Sequence, residues 1–293
     1  ILDTHDYEQD PETYKRLWTH AFAPDIALPE RYHHGQLQRV IPFWVSEYGG
    51  IGWNIVDGWS YGNAPKTKEE VYSRYDGLTS ALMDNRWIFG FCYTELTDVE
   101  QERNGVYDYE RQPKFETERI REINARTAAY EKDPPIDVTQ RSYDWRVLVG
   151  AYPDGELSRE WRYAVEKPEG EWTMPDFDDS AWSLGRSGFG KKRYWEAETQ
   201  TEWDGKLIWL RQEFEYDGSS FDEALLVIHY DNAAEIFING VRFGKLSAWY
   251  DGYLGFRITD FARNVLKPGR NVISVLCSCY EGEHFIDAAL LIS

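Results

Sequence analysis

An α/β segment followed by an all-β segment is what this sequence predicts, and three observations predict it. Across the first 130 residues, short apolar runs alternate with stretches of helical spacing. After residue 144, strands and turn signals follow one another with almost no helix. Between them lies EKDPPIDVTQRSYD, residues 131–144, a polar stretch with a Pro134–Pro135 pair that reads as a linker. Strand, loop and helix in repetition is the order of parallel βα units, and the later order is that of an antiparallel sandwich. At 293 residues and 34.4 kDa the chain has room for two such domains.

The elements follow in chain order. Asp10-Pro11-Glu12 opens a helix with an N-cap carboxylate, a proline at the first helical position and an acid in the first turn. Its body sets Tyr14, Leu17, Trp18 and Ala21 on one stripe. The apolar run VIPFWVSEYGG (40–50) reads as a buried strand that ends in a carboxylate and two glycines. Residues 66–83 have helical spacing, although Gly77 inside costs about 1 kcal/mol relative to alanine. WIFGFCY (87–93) is a second buried strand, and a further helix is predicted over 113–132, opened by Pro113. Beyond the linker, LIWLRQEFEY (207–216) alternates, with Ile208, Leu210, Phe214 and Tyr216 on one face and Trp209, Arg211, Glu213 and Glu215 on the other. Asn239-Gly240 marks a hairpin turn, Pro268-Gly269 sets up another strand, and HFIDAALLIS closes the chain.

Composition narrows the function. With 32 basic against 51 acidic residues the net charge is −19, which repels phosphate backbones and anionic bilayers alike, so neither nucleic acid nor membrane is an expected partner. A mean hydropathy of −0.62, with no apolar run near twenty residues, predicts no membrane span. The three cysteines, Cys92, Cys277 and Cys279, make neither a zinc-type pair nor a disulfide framework, and no metal or cofactor is predicted. Cys277 and Cys279 share one face of a strand and read as buried thiols. Residues 1–10 carry no basic n-region and no long apolar stretch, so no signal peptide is read there. The excess is aromatic, 13 Trp, 20 Tyr and 14 Phe, and flat rings of that kind stack on sugar faces as well as filling cores.

The segment that carries chemistry is Pro42-Phe43-Trp44-Val45-Ser46-Glu47-Tyr48-Gly49-Gly50. A carboxylate displayed at the C-terminal end of a parallel strand faces the active-site mouth when such strands close into a barrel. Glu47 is then placed to attack an anomeric carbon or to act as a base, or it pairs with an arginine and does neither. This segment resembles the nucleophile motif of glycoside hydrolase family 2, the retaining β-galactosidase, β-glucuronidase and β-mannosidase group, on its barrel strand seven. THDYEQDPE (4–12) resembles the end of strand six, where a His-Asp/Asn-Tyr run lines the sugar pocket, and GFCYTELTDVEQERNGVYDYERQPKFETERIREIN (90–124) is similar to strand eight and the last barrel helix. The three motifs occur in the family's order.

The resemblance implies a partial (β/α)8 barrel, about its last three βα units, over residues 1–130. A galactose-binding-like jelly roll would follow the 131–144 linker over residues 145–293. It implies Glu47 as the catalytic nucleophile and His5, Tyr7, Tyr48, Trp53 and Glu95 as substrate contacts, with Tyr48 hydrogen-bonding the Glu47 carboxylate and Trp53 or Trp59 stacking on a sugar. Glu95 stands where an amide is usual in the family. As alternatives to the family's acid/base, Glu95, Asp6, Asp98, Glu100 and Glu102 are the carboxylates at hand. A retaining glycosidase needs two carboxyl groups about 5–5.5 Å apart. The family's acid/base follows an asparagine, and no Asn-Glu dipeptide occurs in this chain. A full barrel takes about 250 residues. The resemblance therefore implies that the acid/base lies upstream, in a missing N-terminal part of the same protein. The expected partner is an oligo- or polysaccharide substrate, and a secreted or periplasmic location fits such an enzyme. In the jelly-roll match, Phe177-Asp178-Asp179-Ser180-Ala181-Trp182 forms a tight turn burying Trp182, and Trp195, Trp203, Trp249 and Tyr250 are the aromatic candidates for sugar binding. The alternative function is a non-catalytic carbohydrate-binding or scaffolding fragment of a larger glycosidase.

Overall fold

The computed structural model describes residues 2–21, 25–32, 43–53, 58–135, 141–158, 160–191, 199–246, 252–279 and 284–293. The chain forms two compact units, Ile1–Pro24 with Val40–Thr139, and Asp25–Arg39 with Gln140–Ser293. The segment 25–39, which the sequence reading leaves with the first part of the chain, belongs to the second unit.

The first unit is built on a three-stranded parallel sheet in sequential order, β1 (Leu2–Asp6), β2 (Phe43–Gly49) and β3 (Ile88–Thr94). Helix α1 (Pro11–Lys15) starts where Asp10 accepts from the Thr13 N–H at 2.8 Å, and it continues as a π-helix over Arg16–Ala21. Helix α2 (Lys68–Met83) is capped by Thr67, whose hydroxyl accepts from the Glu70 N–H at 3.1 Å. Gly77 has a packing reason: a Cβ there would stand 2.6 Å from the Pro11 Cβ, so its lack of a side chain is what lets α1 and α2 touch. Together Tyr14, Leu17, Trp18, Phe43, Val45, Tyr48, Leu78 and Leu82 make the core between sheet and helices. The helix predicted over 113–132 is not continuous. Pro113 bridges to Tyr107 in an extended turn, so helix α3 begins only at Thr117 (Thr117–Asn124), and a separate turn, α4, covers Ala129–Lys132. Among the described residues the strands of this unit close no barrel.

The second unit is almost all strand: β4 (Arg146–Val149), β5 (Glu160–Ala164), β6 (Ser183–Arg186), β7 (Phe189–Gly190), β8 (Thr201–Glu202), β9 (Leu207–Tyr216), β10 (Ala224–Tyr230), β11 (Ala233–Ile238), β12 (Val241–Leu246), β13 (Leu254–Arg257), β14 (Gly269–Ser278) and β15 (Phe285–Ile292), with one helix, α5 (Thr259–Val265). They form two six-stranded sheets, β13-β10-β15-β7-β8 with β4 also on β15, and β12-β11-β14-β9-β5-β6. Pairing is antiparallel except between β7 and β8. Every residue of β10 and β15 is buried, which makes them the centre of their sheet. At the β11–β12 turn Asn239 and Gly240 take φ of 51° and 82°, the left-handed geometry that a two-residue hairpin demands.

The alternation read in 207–216 holds only at its far end. Trp209 and Arg211, expected on an outward face, are both buried, and the segment around 172–182 folds over Arg211. Arg211 is 1% exposed, donates to Asp179 Oδ2 at 2.7 Å and to the Trp172 and Met174 carbonyls, and lies 5.3 Å from the Phe177 ring centroid. The Asp-Asp turn thus covers an arginine, and Trp182 itself is only half-buried, beside Trp172 and Phe177. Cys277 and Cys279 are buried thiols, 3.9 Å apart, whereas Cys92 is exposed. Of the ring candidates in this unit, Trp203 is buried, and Trp195, Trp249 and Tyr250 lie outside the described residues.

Candidate active site

Alternation along two neighbouring strands assembles the site. The β1–β2 register sets His5 beside Glu47 and Asp6 beside Tyr48. Successive side chains of a strand point to opposite faces, so His5, Tyr7 and Glu47 share one face while Asp6 and Tyr48 share the other. Tyr7 donates its hydroxyl to Glu47 Oε2. His5 Nδ1 lies 3.3 Å from the Tyr7 hydroxyl and 3.9 Å from Glu47 Oε2. The His5 and Glu47 side chains are 43% and 40% exposed, open enough for a reactant to reach both. Burial, and then the bond to Glu47, holds the Tyr7 phenol far above its ordinary pKa. Tyr7 therefore remains a protonated donor at any working pH.

The turn after β2 is shaped by its glycines. Gly49 and Gly50 take φ of 85° and 68°, and a Cβ on them would run into the rings of Tyr93 and Tyr61 at 2.4 and 2.3 Å. That close approach brings Tyr61 in, pinned by its N–H to the Gly50 carbonyl at 3.2 Å. Its ring stacks flat on Tyr7, with centroids 3.8 Å apart and planes within 2°. Gln9 ties the same corner by donating to the Gly49 carbonyl. Trp59 stands edge-on to Tyr61 at 5.3 Å and is 47% exposed. A small ladder joins these residues to the loop after β3: Trp59 and Val99 both bridge to Glu102, and the Trp59 N–H donates to the Gln101 carbonyl at 2.7 Å.

Glu95 follows the end of β3, the strand next to β2. Burial first, and then the neighbouring charges of Glu102 and Asp98, push its carboxyl up to about 7. Its Oε1 is buried with no hydrogen-bond partner among the described residues.

Two residues expected to meet the nucleophile or serve as its partner face the core instead. Tyr48 is 1% exposed and its hydroxyl pairs with Thr79 Oγ1 at 2.7 Å, so the phenol on Glu47 is that of Tyr7 and not the sequence neighbour. Asp6 is buried and accepts from the Trp18 indole at 2.7 Å. The Trp53 ring lies against Phe115, with centroids 6.5 Å apart. Asp98 is buried in a bond with Lys114 at 2.8 Å. Tyr61 had no motif to announce its place in the site, and the paired glycines after Glu47 were the available signal; Gln9 and Glu102 lie inside the 4–12 and 90–124 segments.

Among the described residues no group of three or more His, Cys, Asp or Glu is arranged to hold a metal ion, and no helix is long and apolar enough to cross a membrane.

No family model matches this chain, and no curated protein matches it. Solved structures that match it include glycosidases. A β-glucuronidase from glycoside hydrolase family 2 is 16% identical, with a TM-score of 0.32, and the match covers 46% of this chain and 17% of that one. A Bacteroides vulgatus β-glycosidase is likewise 16% identical at a TM-score of 0.32, covering 46% and 20%. Bacteroides uniformis β-glucuronidase is 17% identical at 0.35, covering 51% and 18%. The chain spans about a fifth of the length of the solved structures it matches. Likenesses of that extent say nothing about activity.

Proposed function

We propose that this chain is the C-terminal portion of a retaining β-glycosidase that hydrolyses terminal β-glycosidic bonds, with Glu47 as its nucleophile. On this reading residues 1–130 are the last three βα units of a (β/α)8 barrel, residues 131–144 a linker and residues 145–293 a galactose-binding-like jelly roll. One observation carries it: the Glu47 carboxylate stands half-exposed near the C-terminal end of a parallel strand, its Oε2 fixed by the Tyr7 hydroxyl.

The chemistry follows from that arrangement. One Glu47 oxygen is oriented by Tyr7, which leaves the other free to attack the anomeric carbon as the C–O bond to the leaving group breaks. The leaving oxygen takes a proton from an acid upstream of Ile1, since no Asn-Glu pair is present in the chain. As Glu47 becomes an ester its charge is lost, and the Tyr7 bond weakens; the charge returns when water hydrolyses the ester with the upstream group as base. His5 sits beside Tyr7 and Glu47 to meet a sugar hydroxyl, and Glu95 lines the same strand ends. Tyr48 and Trp53 serve as framework on this reading. The substrate is an oligo- or polysaccharide.

The test is chemical rescue in the full-length protein with 2,4-dinitrophenyl β-glycosides, whose leaving group needs no acid. Glu47→Gly should lose activity by roughly four orders of magnitude, and azide should restore turnover, with an α-glycosyl azide as product. Retained activity in Glu47→Gly removes Glu47 as the nucleophile. The absent acid/base favours a second reading, in which the 293 residues alone bind carbohydrate without turnover. That reading predicts no hydrolysis of alkyl β-glycosides by this chain by itself, and measurable hydrolysis contradicts it.

A further inference from the structure

The register that joins β1 to β2 stops just short of the Tyr7 bond to Glu47. Its last pairs are His5 with Glu47 and Asp6 with Tyr48, so Tyr7 and Gly49 come next, beyond the paired residues. Gln9 supplies the connection there. Its Nε2 donates to the Tyr7 carbonyl at 3.3 Å and to the Gly49 carbonyl. A primary amide carries two hydrogens, and here each strand end takes one. A side chain thus extends, by one more step, the tie that the backbones make up to Asp6 and Tyr48.

The partners fix which way the amide faces. Two carbonyl acceptors lie on its nitrogen side, and on its oxygen side Arg74 Nη1 donates to Oε1 at 3.5 Å. A flipped amide would set its oxygen against two carbonyls and its nitrogen against a guanidinium. Arg74 is held on helix α2, where it donates to the Asn63 carbonyl at 2.7 Å and to Glu70 one turn earlier. Gly62 makes room for the arrangement: its φ is 64°, and a Cβ there would stand 2.3 Å from Gln9 Cγ. One guanidinium and one amide in this way connect α2 to the corner where Tyr7 meets Glu47.

Resting on the glycosidase reading above, we propose that Gln9 is a positioning residue for the nucleophile and acts through Tyr7. The hydroxyl of Tyr7 reaches Glu47 across two strands, so the length and angle of that bond depend on where the two strand ends lie relative to each other. Gln9 holds one end by the Tyr7 carbonyl and the other by the Gly49 carbonyl, two residues past the nucleophile. A shift of about 1 Å in a reacting group costs up to about a hundredfold in rate. Both amide hydrogens are engaged by the protein, which sets Gln9 apart from His5 as a group for substrate.

The experiment follows first-turnover release of 2,4-dinitrophenolate from β-glycosides by the full-length protein, which separates the rate of attack by Glu47 from affinity for the substrate. Gln9→Met keeps the length of the side chain and its packing on Gly62 while removing both donors. It should slow the attack about tenfold and leave the half-saturating concentration within about twofold. In a Tyr7→Phe background the same substitution should cost nothing more, because the bond it supports is already gone. Arg74→Met, which removes the bond to Oε1, should give a smaller loss that also vanishes with Tyr7→Phe, and it carries the comparison if Gln9→Met does not fold. An unchanged rate in Gln9→Met overturns the inference, as does a loss confined to affinity. A loss that recurs at full size on top of Tyr7→Phe also overturns it, since that marks Gln9 as framework alone. In each of these cases release by the unaltered protein leaves the glycosidase reading standing. No release from any β-glycoside by the unaltered protein overturns that reading, and the inference with it.

Discussion

Glu47, His5 and Tyr7 show how far a strand pattern can be read at the scale of single residues. An apolar strand ending in Glu-Tyr-Gly-Gly, together with its resemblance to a family motif, marked the nucleophile candidate, and the structure brings His5 and Tyr7 to it. Period-two alternation assigns Tyr48 and Asp6 to the opposite face, a consequence the motif alone obscures because it sets them next to the functional residues. Tyr61 arrives from a loop whose path depends on tertiary contacts, so no local pattern reports it. The Tyr7 bond yields a first prediction. A hydrogen bond to a charged acceptor is worth about 1.5–3 kcal/mol, so Tyr7→Phe should lower kcat on β-glycosides by about 10- to 100-fold in steady-state kinetics, with the protein still folded by circular dichroism. Glu95 yields a second. Its carboxyl is raised in the folded protein from 4.5 to about 7, so the native state holds that proton more tightly than the unfolded chain. The stability this confers is complete below pH 4.5 and is lost as the pH rises through 7. Thermal melts of Glu95→Gln between pH 4 and 8 should therefore decline less than those of the unaltered protein; parallel curves would contradict the shift.

Helices and strands were legible where caps and turn chemistry agreed with periodicity. Asp10 caps the helix it was expected to open, Asn239-Gly240 makes the hairpin, and the helix read over 66–83 starts at its Thr67 cap. The helix predicted from Pro113 failed because a proline also suits an extended bridge, and the pairing of Pro113 with Tyr107 prevailed over helical entry. Gly77 reads as a weakness in isolation and is a packing requirement in the structure. Gly77→Ala gains about 1 kcal/mol of helix propensity but forces a methyl onto Pro11, a type of overpacking that costs about 1–3 kcal/mol. Its melting temperature should fall, and a rise would show that the two helices separate at no cost. Arg211 is the counterpart in the second unit, since alternation put it outside and a covering turn buried it. Asp179→Ala leaves that guanidinium without its carboxylate, a loss of about 3–5 kcal/mol. Urea denaturation should show most of that loss recovered when Arg211→Met is added; equal loss in single and double variants would assign the effect to the turn itself.

For the whole molecule, the division into an α/β part and a β part is visible in the order of strand and helix signals. The membership of residues 25–39 is not, because it rests on distant pairings such as those of Asp25 with Arg141 and Arg257. A three-stranded parallel sheet leaves strand edges and an apolar face that sheets of this kind normally cover. Limited proteolysis should therefore leave a resistant core from the second unit and degrade the first. The catalytic claim has a more direct test. Full-length protein treated with 2-deoxy-2-fluoro-β-glycosyl fluorides, spanning galactose, glucose, mannose and glucuronate, would be digested and its peptides mapped by mass spectrometry. A single ester on Glu47 is the result this account predicts. An ester on any other carboxylate, Glu95 included, or no adduct with any of the four sugars, would contradict it.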